Sequence, residues 1–457
     1  VVRDKGLDAT TADYAAVFLE KKFMLWHANG QARQNLLEGI PPELCGHPVY
    51  SPHADDIDFQ IECDWIGIVS PGLPQAAQEI ALRAGCITNH GDGLYAGVYL
   101  AQLYSDAFFV SDPVELVTRG LAAIPADCDY AAMIRDCLAG HAEAPGDWRL
   151  SWQRLEDKWN RDLCPWAGSE RGRFNIQGHF NGAYIVLALL HGAGDFDRTI
   201  EICTRCGQDT DSNVANVGGV LGTIYGFQRL PRQVKDVLAP YMDRDYKHTT
   251  LSINSASALS LDLALDNIRR HGGNVTGDTV TIPAATPGWT APTARSFTDF
   301  AFTGAWRAAD PALRWTGIWE KSGQQHMAGS ERFFFTEEPG AAMEIDFTGT
   351  CIYVQGNVRD DAGILEASVD GVPMQRRDLC GPSIWQNSSQ MTAVWITGLP
   401  DGPHTLRVAV TGEKRAESKG AFIWLGRVAA YRGQVAPLPN DREGFGFRGM
   451  KEKLEQA

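Results

Sequence analysis

Gly207-Gln208-Asp209-Thr210-Asp211-Ser212-Asn213 places two carboxylates and two hydroxyls within four residues. Such hard oxygen donors suit magnesium, which binds through one or two carboxylates and keeps several waters. An apolar, glycine-spaced run from 214 to 227 follows, so the donors stand at the expected start of a helix. Helical spacing puts Asp209 and Ser212 on one face, with Asp211 at its edge. Gly207 lets the backbone turn sharply just before them. The same residue types also cap helices, and spacing alone leaves both readings open.

A second acidic block lies far upstream. Asp55, Asp56, Asp58, Gln60, Glu62 and Asp64 crowd ten residues. If 56–66 is one helix, Asp56, Gln60 and Asp64 share a face. A solvated helix surface has the same look, but the intervening Ile57, Phe59, Ile61, Trp65 and Ile66 are apolar. Both faces are then buried, and buried carboxylates need cations or donors. A third block, Asn89-His90-Gly91-Asp92-Gly93, breaks one helix and opens the next. His90 and Asp92 there stand near a helix N-terminus, which favours an anion such as phosphate. His90 capping the helix is the plainer alternative.

The elements that must position these blocks are helical over the first 272 residues. Thr10 to Asp13 reads as an N-cap opening a helix. Apolar spacing near 3.6 predicts helices over 94–110, 113–123, 127–139, 147–160 and 254–269, with Pro113 where its helix begins. Trp148, Trp152 and Trp159 fall on one stripe, which reads as core. Gly218, Gly222 and Gly226 lie four apart and suggest a close helix–helix contact. His179 and Asn181, before the apolar run 185–190, read as structural rather than chemical residues. Residues 273–297 form a Gly/Thr/Pro-rich linker. Over 298–432 the period changes to two, as in Ala342–Phe347 and His404–Val410, which predicts a β-sandwich. A polar tail with a charged helix occupies 433–457. The expected fold is therefore multidomain: an all-α domain (1–272), then a jelly-roll-like β-sandwich.

Composition excludes some classes. A net charge of −15 argues against general binding to nucleic acid or anionic membranes. No apolar run reaches about 18 residues, so no membrane span is expected. Ten scattered cysteines include one CxxC pair, Cys203 and Cys206, with no second pair to complete a zinc site. They read as buried thiols.

The central aspartate block and the following Val217-Gly218-Gly219-Val220-Leu221-Gly222-Thr223-Ile224-Tyr225-Gly226 resemble the C-terminal metal motif of the ADP-ribosylglycohydrolase family. The resemblance covers roughly residues 5–235. It implies an all-helical fold, a central cleft with one or two Mg2+ ions, and removal of ADP-ribose from side chains or small adducts. It implies metal ligands at Asp209, Asp211 and Ser212, with Asp211 also among the catalytic groups. By the same resemblance the second block stands where the family contacts the ribose and presents an acid near the scissile bond. Asp55, Asp56 and Asp58 are the catalytic candidates there, with Gln60 a substrate contact. The third block is similar to a family stretch lining the ligand cleft, which implies substrate contacts from Asn89, His90, Gly91 and Asp92. The family's Gly-rich opening and first acidic metal motif are not found before residue 10. The resemblance thus implies a fragment, or a member lacking half its metal site, unless the 55–58 carboxylates substitute.

Two function classes follow. One is a magnesium-dependent glycosidic-bond hydrolase acting on an ADP-ribosyl adduct or related sugar. The other is an impaired or truncated member acting as a carbohydrate-binding protein. The turns at Asp370-Gly371 and Leu399–His404 resemble those of galactose-binding-like modules, which often bind sugars. The expected partner in either class is a small molecule or sugar.

Overall fold

The Thr10 hydroxyl accepts from the Asp13 amide at 3.2 Å, and the Asp13 carboxylate accepts from the Thr10 amide at 2.9 Å. This reciprocal cap starts the helix Thr11–Phe18 as the sequence predicts. The computed structural model describes residues 1–20, 25, 27–37, 39–47, 50–51, 53–159, 176–283, 301–322, 333–381 and 391–433. The expected tail helix and most of the expected linker lie outside them.

Two helices carry the first domain. Gly91–Ala107 and Gly178–Gly192 are buried along their whole length. Both are mostly apolar or small, and their few polar side chains are buried as well, so each must be surrounded. Around them pack Asp64–Ile68, Pro74–Gly85, Pro113–Gly120, Asp129–Glu143, Trp148–Trp159, Phe196–Cys206 and Thr210–Arg229, sharing one apolar core. Trp159 is buried and Trp148 and Trp152 pack against that core, as the stripe predicts. The glycine expectation needs correcting. Gly222 and Gly226 have no neighbour where a Cβ would stand, and Gly218 has ordinary room. Close approach is made instead at Gly219, which lies against the Tyr104 hydroxyl. That hydroxyl donates to the Asn216 carbonyl at 3.0 Å. Gly226 has φ +66° and kinks the helix.

The last long helix, Ile253–Arg270, is followed by a hairpin of Asn274–Thr276 and Thr279–Thr281. Ile282 packs back on Leu73, Ala76 and Ile268. The start of the stretch read as linker thus sits on the helical domain.

Beyond residue 300 the described elements are antiparallel strands. One sheet has the order Val372–Asp378, Ile364–Val369, Gly402–Val410, Ala342–Gly349, Arg314–Thr316. The other has the order Met391–Ile396, Cys351–Gly356, Ile423–Arg432, Phe334–Thr336, Glu320–Lys321, with Ala301–Trp306 also on Ile423–Arg432. Met343, Ile345 and Phe347 point inward while Asp346 is exposed, the period of two a half-buried strand requires. They interleave with Ile352, Val354 and Leu425 of the facing sheet, so the pair is a sandwich. Asp370 (φ +52°) and Gly371 (φ +79°) make a two-residue hairpin turn, the conformation Asp-Gly favours. The sandwich touches the helical domain where the Thr392 amide donates to the Gln31 side-chain oxygen at 3.4 Å. Among the described residues, no helix is long and apolar enough to cross a membrane.

Candidate functional site

The second acidic block is two five-residue helices, Asp58–Glu62 and Asp64–Ile68, meeting at Cys63, with a turn before them. That turn is sewn to the first turns of both central helices. The Asn89 side-chain amide donates to the Ala54 carbonyl (3.1 Å) and the Asp56 carbonyl (2.7 Å), while its oxygen accepts from the Phe59 amide (3.1 Å). On the other side, the Gly178 amide donates to the Asp55 carbonyl (2.8 Å), and Ile57 donates to the Ile176 carbonyl (2.8 Å). Gly93 has no Cβ because Ala54 and Asp55 occupy that space, and its amide donates to Asp55 Oδ1 at 3.3 Å.

Among the described residues, several polar atoms of this turn and of the helix after it are buried with no hydrogen-bond partner: Asp55 Oδ2, Asp56 Oδ1 and both amide atoms of Gln60. Natural folds rarely leave such atoms unmatched, so each calls for a reason. Burial pushes the Asp55 carboxyl up to about 8; His179 opposes this, and Asp92 adds to it. Burial, reinforced by Asp56 and Glu62, lifts Asp58 well above the ordinary carboxyl range. Asp58 Oδ1 accepts from the Asn29 side chain at 2.9 Å, and Glu62 accepts from the same amide at 2.7 Å. Burial raises Glu62 to about 7 despite that bond.

Asp92 latches three helices together. Its Oδ1 accepts from the Tyr130 amide at 3.0 Å, and its Oδ2 lies 3.4 Å from His179 Nε2. Burial would raise its carboxyl, but His179 and the Tyr130 amide outweigh that and hold it below the usual value. His90 is the residue before the helix Gly91–Ala107 and makes no side-chain capping bond. Its ring meets His47 edge-on, with centroids 4.5 Å apart. Burial, then His47, brings the His90 imidazole down to about 3. Gly91, with φ +53°, provides the turn into the helix.

The central aspartate block follows Gly207 (φ +92°) and Gln208 (φ +59°). Asp209 is the N-cap residue of Thr210–Arg229, yet its carboxylate makes no capping bond to the backbone. Its partner is the Ser212 hydroxyl; burial raises the Asp209 carboxyl, Ser212 lowers it and Asp211 raises it again. Asp209 and Ser212 are half-buried and Asp211 is exposed. Asn181 anchors the block: its Oδ1 accepts from the Asp209 amide (3.0 Å) and from Asn213 Nδ2 (2.8 Å). Its own amide donates to the Gln177 carbonyl at 2.7 Å, and Gln177 is the residue that bridges to Asp56. Two blocks about 150 residues apart are therefore tied to one helical turn. Cys203 and Cys206 are buried free thiols, and burial pushes Cys203 up to about 12.

Sequence reasoning missed two residues here. His53 Nδ1 lies 2.6 Å from Asp56 Oδ2, and both are buried. Donor atoms of His27, His53 and Asp56 all lie within 4.8 Å of one another. The three-residue spacing of His53 and Asp56 was a usable signal; nothing in the sequence marked His27.

The sequence profile of ADP-ribosylglycohydrolases matches residues 2–264, more than half of the chain and inclusive of all three blocks. The chain belongs to the ADP-ribosylglycohydrolase family. Members of this family are hydrolases and typically depend on a metal. No curated protein matches this ADP-ribosylglycohydrolase-family chain. Among solved structures, a family two carbohydrate esterase from Cellvibrio japonicus is 16% identical, with TM-score 0.21, covering 30% of this chain and 36% of that one. A two-domain esterase active on acetylated mannans is 15% identical, with TM-score 0.26, covering 49% and 60% respectively. The chain thus spans less than two thirds of either structure, and TM-scores this low carry no argument.

Proposed function

We propose that this ADP-ribosylglycohydrolase-family chain is a magnesium-dependent hydrolase of the glycosidic bond in an ADP-ribosyl adduct. The observation that carries the reading is the pair of buried, unpartnered carboxylate oxygens, Asp55 Oδ2 and Asp56 Oδ1, in a turn tied through Gln177 and Asn181 to the Asp209 block. The donor chemistry fits a hard divalent cation: Asp209, Asp211 and Ser212 offer oxygens. When bound, Mg2+ supplies a Lewis acid for ribose hydroxyls or water. The protein's own residues do the rest. Asp55, held protonated to about pH 8, is the group able to give a proton to a departing nitrogen or oxygen. Asp211, exposed at the head of its helix, is the carboxylate able to orient water toward the oxocarbenium-like carbon. Gln60, His90 and Asp92 are substrate contacts in this reading, His90 as a neutral imidazole.

The test is release of ADP-ribose from modified arginine or serine peptides, run beside release of reducing sugar from aryl glycosides, each with and without a chelator. Asp209→Ala and Asp211→Ala should each lose about 100-fold or more in rate with folding intact, because a lost ligand removes both affinity and orientation. Chelator-insensitive turnover would overturn the metal assignment, and turnover of aryl glycosides alone would overturn the ADP-ribosyl one.

For the sandwich we propose sugar binding. A shallow hollow of about 310 Å³ there is lined by Asp346, Phe347, Thr348, Asp370, Pro403, His404 and Thr405, an apolar ring among hydroxyl and carboxylate groups. Retention of the isolated activity on small adducts, with weaker action on polymers after His404→Ala, would support it; identical action on both would refute it.

A further inference from the structure

We infer that the sandwich is docked permanently on the helical domain through the outer face and edge of one sheet, and that it braces the helix Asp58–Glu62 and the turn before it through the helix His27–Leu37. A tethered module would leave both of its outer faces wet. The two sheets differ in this respect. The sheet that carries Asp346 and His404 has a charged, exposed outer face, where Arg314 pairs with Asp346 at 2.8 Å, Arg407 with Glu344 at 3.2 Å and Arg376 with Glu413 at 2.8 Å. On the other sheet, Ile352, Val354, Ile396 and Ala430 point into the sandwich core. Tyr353, Gln355, Trp395 and Tyr431 alternate with them and so point outward. These outward side chains are nevertheless 6% exposed or less.

The edge of that sheet is closed as well. Met391–Ile396 is its outermost strand, and an open strand edge is a row of unpaired amides and carbonyls. Here the Trp395 amide donates to the Gln375 side chain at 3.0 Å, and the Thr392 carbonyl accepts from Arg377 at 3.1 Å. The Thr392 amide donates to Gln31 at 3.4 Å, and that acceptor belongs to the helical domain.

The helix His27–Leu37 carries the contact inward. Its Gln31, Arg33, Gln34 and Asn35 are 4% exposed or less. A helix so polar and so buried needs partners on every side. Asn29 and Gln31, two residues apart, lie on opposite sides of it. Asn29 gives its side-chain amide to Asp58 at 2.9 Å and to Glu62 at 2.7 Å, and its backbone amide to Asp58 at 3.2 Å. Gln31 takes the Thr392 amide and gives its own to Asn35 at 2.9 Å. Asn35 in turn holds the Cys45 and Tyr50 carbonyls at 2.8 and 3.1 Å. The helix is thus a bar with the sandwich on one side and the acidic block on the other. The sugar hollow lies on the exposed sheet, so docking leaves it open. The dock and the brace stand apart from the hydrolase reading; only their consequence for catalysis rests on it.

The experiment starts from the full chain with a protease site inserted between residues 284 and 297. After cleavage the two halves should co-elute as one particle in size exclusion at micromolar concentration. Separation of the halves overturns the dock. The brace is read by hydrogen exchange in the uncut chain. Gln31→Leu removes the acceptor from the helix, and Thr392→Pro removes the donor from the sandwich, on an edge strand where proline is tolerated. Each loses one buried bond and orphans one buried group, so exchange over residues 54–62 should quicken about tenfold or more. Exchange in Gly178–Gly192 should stay as in the wild type. Thr392→Pro is the decisive variant because it lies in the other domain: a helix that merely packed locally would not pass the loss on. Unchanged exchange over 54–62 in Thr392→Pro overturns the brace, and if that variant fails to fold, Gln31→Leu decides on the same readout. Neither measurement uses turnover, so a docked and braced but inactive protein would refute the hydrolase reading and leave this inference standing.

Discussion

Replacing Asn89 with alanine separates its two possible roles. The side chain makes three hydrogen bonds, at 3.1, 2.7 and 3.1 Å, all to backbone groups of residues 54–59. Each buried bond contributes about 1 kcal/mol net, and an orphaned buried donor such as the Phe59 amide costs about 1–3 kcal/mol more. Asn89→Ala should therefore lose about 4–6 kcal/mol of unfolding free energy. For a domain of this size that corresponds to roughly 8–24 °C in Tm. Asn89→Asp tests the direction of the bonds. One carboxylate oxygen still accepts from Phe59, but the other faces the Ala54 and Asp56 carbonyls beside an acidic turn. It should be no more stable than the alanine variant at neutral pH, and should recover partly in acid as the new carboxyl takes up a proton. Urea unfolding of the three proteins, with KM measured for the folded fraction, reads both roles. A loss below about 1 kcal/mol in Asn89→Ala, together with a tenfold rise in KM, would refute the reasoning and make Asn89 a substrate contact.

Two further outcomes follow from packing and charge. Gly182 lies against the Tyr130 ring and hydroxyl, so Gly182→Ala should destabilise by about 1–3 kcal/mol in thermal melts; no change would mean Tyr130 has room to move. In the sandwich, burial lowers His404, but Asp370 at 2.7 Å and the Pro400 carbonyl more than reverse this and raise it. A raised histidine contributes stability that is complete below its ordinary value near 6.5 and is lost as pH rises through the raised one. His404→Ala should thus destabilise more at about pH 6 than at about pH 9, by urea unfolding; an equal loss at both would show that the ring acts by packing alone.

The architecture was written in the chain because periodicity is local. A period near 3.6 up to Arg270 and a period of two from Ala342 onward each require only that alternate faces be wet or dry, so helices and strands were legible without knowing their neighbours. The aspartate block and its helix were legible for the same reason, and so was the Asp370-Gly371 turn, whose conformation those two residues prefer on their own. The Gly219 contact was not, because the four-residue rule identifies a face but not the Tyr104 that fills it. Nor was the division of labour inside the acidic turn. The sequence shows equivalent carboxyls at 55, 56 and 58. The fold alone gives Asp55 a glycine amide and a raised pKa, Asp56 a histidine, and Asp58 an asparagine from another helix. Burial and partners set the properties of an ionisable group, and both are supplied by residues distant in sequence. The approach of His27 to His53 and Asp56 is the limiting case: these side chains come within reach of one another only through tertiary packing.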